Sequence, residues 1–408
     1  MTFKNTLFVA ALLALAEAEP IQKRLENGLG RKPALGWNSW NVAQCNSATA
    51  KYALDTANLF VSLGLKDLGY EYVNIDDCWS TMNRNGSGYL VADPNKWPQG
   101  VKPVVDKIHS MGLKFGLYGC AGTKTCGGYP GSWGHETEDA KLLASWGVDL
   151  WKHDNCFTPC EGNPWPQTCW GKKAGGHTQE WFGKMRDALM SVRNQKSIYF
   201  SMCQWGVDNV WTWGKDYGNA WRMSNDNWND WASVVRIAST AGTIAQYAGP
   251  GGFNDLDMMQ LGNGKLTAAQ ERTHMGLWAI AKSPIILGND LSKISQATLS
   301  LVRNKGLIGI NQDSLGKAAG YFRPPGKPAP VNGQIYNYWA GQLSDGVVVA
   351  LVSPGRAQTL SVDLKDVPNL GSGNWRWTEM FSGRTGTGTS VSASLATDDI
   401  AVYKVTKA

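Results

Sequence analysis

The chain has 408 residues, with 39 Lys and Arg against 33 Asp and Glu and a net charge of +6. Its 43% hydrophobic and 18% charged content excludes disorder as the main state, and 47 glycines without a G-X-Y repeat exclude a collagen-like rod. The basic excess is small and scattered, which excludes an electrostatic footprint for nucleic acid.

The N-terminus reads as a secretory leader over residues 1–18. Lys4 supplies the positive start, residues 7–16 the apolar stretch, and Ala16-Glu17-Ala18 a small-x-small cleavage site. Such a stretch is too short to span a bilayer, which takes about 20 apolar residues. Residues 19–24 end in Lys23-Arg24, either a dibasic processing site or a solvated pair. Eight cysteines behind a leader point to disulfides. Spacing alone does not pair them, although Cys160 and Cys169 flank one loop rich in Pro, Gly and Trp and suit a local bridge. Asn85-Gly86-Ser87 is a sequon in a turn-like stretch, suited to N-glycosylation.

From residue 36 to 312, apolar strands alternate with amphipathic helices. Residues 35–37 form a strand; Asn46/Ser47 then cap a helix with Ala53, Ala57, Phe60 and Leu63 on one face. Strands follow at 72–75, 114–118, 148–152, 197–202 and 220–223, then just before Gly249 and at 284–287. Helices are predicted at 103–111, 138–146, 177–192, 268–281 and 296–304. This alternation predicts an α/β (β/α)8 barrel over residues 25–318. A doubly wound sheet would need a Gly-rich phosphate loop after the first strand, and Trp37-Asn38-Ser39-Trp40 supplies none. Beyond residue 318 the texture changes. Short strands at 335–339, 347–352, 359–362, 375–380 and 400–405 predict an antiparallel β-sandwich over residues 319–408.

Polar side chains recur just after strand after strand: Asp76 and Asp77, Tyr118, Lys152 and Asp154, Gln204, Arg222 and Asp226, Asp255 and Asp257. A lone Asp there would be a turn or cap residue. So many together would meet at the C-terminal rim of a barrel, where such barrels carry their active sites. Glycoside hydrolysis needs a pair of carboxyls, one giving a proton and one attacking the anomeric carbon or activating water. The 20 tryptophans fit either ordinary core or flat faces that stack on sugar rings. The rival chemistries are less well supplied. The five histidines lack H-x-x-x-H spacing, a G-x-S-x-G elbow is absent, and an oxygen-only Ca²⁺ site from Asp76, Asp77 and Asp154 has no EF-hand pattern.

At these residues the sequence closely resembles glycoside hydrolase family 27, the secreted α-galactosidases and α-N-acetylgalactosaminidases. The resemblance spans nearly all of the mature chain. It rests on Leu35-Gly36-Trp37-Asn38-Ser39-Trp40, Asn74-Ile75-Asp76-Asp77-Cys78-Trp79, Thr125-Cys126-Gly127-Gly128-Tyr129-Pro130-Gly131-Ser132, Lys152-His153-Asp154-Asn155-Cys156, Asn254-Asp255-Leu256-Asp257-Met258 and Ile310-Asn311-Gln312-Asp313-Ser314-Leu315-Gly316. It implies that Asp154 is the nucleophile and Asp226 the acid/base of a retaining reaction, with the pKa of Asp226 above that of Asp154. It implies that Asp76 and Asp77 bind the 4- and 6-hydroxyls, Lys152 the 3- and 4-hydroxyls, and that Arg222 reaches the 2-hydroxyl side. Trp40 would pack on the sugar face, with Tyr118 and Asp257 completing the rim.

The resemblance further implies Cys45–Cys78 and Cys126–Cys156 bridges, with Cys120 and Cys203 left as buried thiols. It implies no metal, no organic cofactor and no membrane or nucleic-acid partner, only an α-galactoside oligo- or polysaccharide substrate. Nothing in the sequence sets an oligomeric state. Four departures stand out. Gln204 replaces a usual Glu beside the sugar 2-position, and with Val207 leaves less room than the enzymes for 2-acetamido sugars provide. His153 replaces an aromatic between Lys152 and Asp154, on the opposite strand face. Leu256 and Ser314 replace prolines. The intact Asp76-Asp77 pair favours galactose over L-arabinopyranose, which lacks the 6-hydroxyl. A galactose-binding protein on a decayed hydrolase scaffold is the reading from outside enzymology, and it gives no reason to keep Asp154, Asp226, Lys152 and Arg222 together.

Overall fold

The computed structural model describes residues 25–158 and 178–408. The leader, the Lys23-Arg24 pair and the Cys160/Cys169 bridge predicted from sequence lie outside these residues. Eight parallel strands run β1 (Leu35–Asn38), β2 (Tyr72–Asn74), β3 (Lys114–Cys120), β4 (Leu150–Asp154), β5 (Tyr199–Cys203), β6 (Ala220–Arg222), β7 (Phe253–Asp255) and β8 (Ile285–Leu287). They pair in sequence order, with β8 returning beside β1. The seam between β7 and β8 closes through one parallel bridge just beyond β7, where Met259 N–H donates to the Ile286 carbonyl at 2.8 Å. Inside, Tyr72, Leu150, Tyr199, Ala220, Met258 and Ile286 form an apolar plug beneath the rim.

Helices pack outside, each for a readable reason. Residues Ala50–Ser62 bury Ala53, Ala57 and Phe60, but the cap is Thr49, whose hydroxyl accepts from Tyr52 N–H. The predicted cap, Ser47, sits in a 3₁₀ turn, its hydroxyl donating to the Ser39 and Gln44 carbonyls. The strand predicted before Gly249 is instead a 3₁₀ turn over Ala245–Tyr247, and the seventh strand comes later, at Phe253–Asp255. Sequence reading also missed the helix Trp231–Ala241, which Asp230 caps through Ser233 N–H and which buries Val234, Ile237 and Ala238. The crossover after β5 has only 3₁₀ turns, Val207–Thr212 and Gly214–Asp216.

The remaining strands build an antiparallel module. A six-stranded sheet is ordered β14-β13-β16-β11-β10-β9, and β12 pairs with β15. Here β9 is Gly320–Tyr321, β10 Tyr338–Leu343, β11 Gly346–Ser353, β12 Gln358–Asp363, β13 Trp375–Glu379, β14 Thr385–Gly388, β15 Ser390–Leu395 and β16 Asp399–Lys407. The strand predicted at 335–339 starts later: Ile335 and Tyr336 are buried but precede it. Strand β11 is covered on both faces. Val348, Ala350 and Val352 join the core shared with the barrel, while Val347, Val349 and Leu351 join the core under β12 and β15. Helix Ala268–Ile280 docks on β16, held by a two-pronged Arg272–Asp399 ion pair at 3.0 and 2.7 Å. That second contact surface explains why the helix is buried on every side from Thr273 to Ile280.

His153 lies on the outer face of β4, fully buried against Phe182 and Phe200. Its Nδ1 accepts from Trp151 Nε1–H at 3.0 Å, which leaves the proton on Nε2, without a partner among the described residues. Burial pushes its pKa down from 6.5 to about 3. The unfolded chain therefore binds this proton first, and stability falls below pH 6.5 by up to about 1.4 kcal/mol per pH unit until about pH 3. His153→Phe removes that loss but orphans the indole N–H, at roughly 1–3 kcal/mol. The variant is expected to melt below wild type at pH 7 and above it at pH 4. Calorimetric Tm values at the two pH values check this, and a variant that is less stable at both would refute it.

Candidate active site

The C-terminal ends of the strands converge on one cleft lined by Trp40, Asp76, Asp77, Tyr118, Lys152, Asp154, Trp205, Arg222, Asp226, Trp228 and Asp257, among others. Register explains the layering. Tyr118, Lys152 and Ser201 stand side by side on β3, β4 and β5, and Cys120, Asp154 and Cys203 form the next layer up. Residues two apart on a strand share a face, so Lys152 and Asp154 both reach inward while His153 cannot.

Asp154 is buried and accepts from Tyr118 Oη–H at 2.8 Å and from Asn155 N–H at 2.8 Å. Burial raises its pKa and Lys152 opposes that rise, while the neighbouring charge of Asp226 adds to it. Burial and the Asp154 charge keep the Tyr118 phenol protonated, so it remains a donor. Lys152 donates to Asp76 at 2.6 Å, and the Asn38 amide donates to the same oxygen at 2.8 Å. Burial works against the Lys152 charge, yet Asp76 foremost holds its ammonium above the usual lysine range.

Asp77 takes the Gly127 N–H at 2.7 Å and the Cys78 N–H at 2.7 Å. Burial still lifts its pKa to about 6. A Cβ on Gly127 would lie 2.9 Å from the Asp77 carboxylate, so this approach needs glycine. The two loops that meet here are tied down by disulfides, Cys45–Cys78 and Cys126–Cys156, with Cα–Cα distances of 5.1 and 5.3 Å. Cys120 and Cys203 are buried free thiols. Cys126, Asp154 and Cys156 resemble a metal-ligand set by type, but the two sulfurs are bonded to each other.

On the opposite wall, Arg222 is buried and bridges two carboxylates, Asp226 at 2.7 Å and Asp257 at 3.0 Å. Asp257 has φ +78° and also accepts from Asn227 N–H at 2.7 Å, which pins the Asp226 loop to the end of β7. Cys78 and Trp205 likewise have positive φ, so backbone strain is concentrated on this rim. The Asp226 side chain is 45% exposed. Burial would raise its pKa, but the Arg222 charge and hydrogen bond, with Lys152 and Arg236, hold it below the usual carboxylate range. The expected order is thus reversed, because Arg222 sits against Asp226 and not against Asp154.

Gln204 is placed differently from the other predicted contacts. It is fully buried behind the cleft wall, its amide N–H donating to Thr178 Oγ1 at 3.0 Å. Trp205, Asn227 and Trp228 line the cleft without having been singled out from sequence. Their position after a strand was the available signal. Asn85 is exposed in a turn, its side-chain oxygen accepting from Ser87 and Tyr89 N–H groups.

Residues 32–313 match the alpha galactosidase A family, and residues 333–405 match the alpha galactosidase C-terminal beta sandwich domain. The chain belongs to this family, glycoside hydrolase family 27. It is 39% identical to "Probable alpha-galactosidase B" of Penicillium simplicissimum over 99% of both chains. Alpha-galactosidase I from Mortierella vinacea superposes with a TM-score of 0.83 at 32% identity, covering 94% of this chain and 99% of that one. The Saccharomyces cerevisiae enzyme solved with raffinose gives 0.81 at 29% identity over 95% and 100%. Among the described residues no helix is long and apolar enough to cross a membrane. Every carboxylate lining the cleft falls within residues 32–313.

Proposed function

We propose that the chain is a secreted, exo-acting, retaining α-galactosidase that removes terminal α-D-galactosyl residues from oligo- or polysaccharides by double displacement. The observation that carries this reading is the meeting of Asp154 and Asp226 in one cleft that also holds Lys152 and Arg222. Asp154 attacks the anomeric carbon while Asp226 protonates the leaving oxygen; water, deprotonated by Asp226, then releases galactose from Asp154. Asp76, Asp77 and Lys152 bind the 3-, 4- and 6-hydroxyls with charged, directional bonds that penalise the wrong epimer. With Gln204 behind the wall, direct contact with the 2-hydroxyl falls to Arg222. Trp40 packs on the sugar face, and Tyr118 and Asp257 hold the carboxylate and the arginine in place.

Relatives named alpha-galactosidase and a relative solved with raffinose support the galactoside substrate. The leader-like N-terminus and the two disulfides support secretion, with a glycan on Asn85, domain limits at 25–318 and 319–408, and a further Cys160–Cys169 bridge as parts of the same reading. Initial rates on aryl α-D-galactopyranoside, aryl α-N-acetylgalactosaminide and aryl β-L-arabinopyranoside test it. Fast release from the galactoside, with α-galactose as the first product seen by NMR, is expected. Preference for either other sugar would overturn the specificity, and β-galactose as first product would overturn retention.

A further inference from the structure

Trp228 lines the same cleft as Asp154 and Asp226, yet it is 62% exposed, the most exposed of the large apolar residues among the described ones. Its backbone is fixed. The Trp228 carbonyl accepts from Asp230 N–H at 2.7 Å and from Ser233 Oγ–H at 2.8 Å, at the capped start of helix Trp231–Ala241. An indole held in water on a rigid base keeps an unfavourable apolar surface that a ligand can cover. The apolar face of a pyranose ring suits a flat aromatic surface, and the indole N–H remains available to a hydroxyl.

Chemistry says which sugar arrives there. A general acid must stand within hydrogen-bond reach of the oxygen it protonates. The cleft on the outer side of Asp226 therefore receives the leaving group, and Trp228 follows Asp226 by two positions. We propose that Trp228 forms the wall of a leaving-group subsite and stacks on the pyranose ring attached to the departing oxygen. The proposal rests on the α-galactosidase reading above and adds the saccharide leaving group to it.

The test compares kcat/KM on raffinose, whose leaving group is a disaccharide, with kcat/KM on α-galactosyl fluoride, whose leaving group has no ring. In Trp228→Ala the raffinose-to-fluoride ratio is expected to fall roughly tenfold, the size of one lost aromatic contact. Trp228→Phe, which keeps an aromatic face, is expected to recover most of it. A purely structural role would lower both rates together and leave the ratio unmoved. A ratio within about twofold of wild type in both variants would overturn the subsite. A wild-type protein that released galactose from neither compound would instead overturn the underlying activity, so the two failures are distinct.

Discussion

Asp154→Ala is expected to lower kcat/KM on α-galactosides by on the order of 10⁵-fold, the scale seen when a covalent nucleophile is removed. Added azide should restore turnover in part. The small anion fits the space left by the carboxyl and attacks the anomeric carbon from the same side, so the product is β-galactosyl azide, inverted relative to the substrate. The same variant should fold at least as well as wild type. Asp154 carries its charge buried, with a raised pKa, so at neutral pH its ionised form costs the folded state more than the unfolded one. Function is held there against stability. An unchanged or higher Tm, near-complete loss of activity and the inverted azide product together establish the nucleophile. A variant that keeps more than about a hundredth of wild-type kcat/KM would remove the assignment.

The barrel was legible because strands covered on both faces leave short apolar runs that stand out between amphipathic helices, as at Tyr72–Asn74 and Ile285–Leu287. The seventh strand was misplaced for the converse reason. Phe253 is its only apolar residue before Asn254 and Asp255, whereas Ile244, Ala245 and Tyr247 upstream look more strand-like and form a turn. Helix Trp231–Ala241 was hidden behind residues 225–230, all Asn or Asp except Trp228, which read as loop until Asp230 is seen to cap the helix. Strand β14 has the sequence Thr-Gly-Thr-Gly and pairs at the sheet edge, so no burial pattern marks it. In the site, strand periodicity was enough to bring Lys152 and Asp154 together. Which carboxylate Arg222 would choose was not legible, since spacing fixes neighbours and not the rotamer that decides an ion pair. Nor was the side-chain direction of Gln204, which turns to Thr178 from a distant segment.

Asp226→Ala is expected to cost roughly 10³-fold in kcat/KM on raffinose, within the range for a lost general acid, and far less on α-galactosyl fluoride. Fluoride departs without a proton; a sugar alkoxide does not. The second step also loses its base, so the galactosyl-enzyme should accumulate on the fluoride substrate. Azide should discharge it as α-galactosyl azide, the opposite anomer from that of the Asp154 variant. The electrostatics explain why one residue can serve both steps. Arg222 holds Asp226 low and burial holds Asp154 high, so the proton belongs to the pair and the productive arrangement is one of its microstates. Activity on sugar leaving groups should therefore peak on the acid side of neutrality, where the pair retains a proton. Once Asp154 is esterified its charge is gone, a like charge no longer favours protonation of Asp226, and Arg222 draws Asp226 to the carboxylate that activates water. The wild-type alkaline limb of kcat/KM should accordingly appear on raffinose and be absent on the fluoride substrate, whose departure takes no proton. Equal losses on raffinose and fluoride would place the acid elsewhere in the cleft.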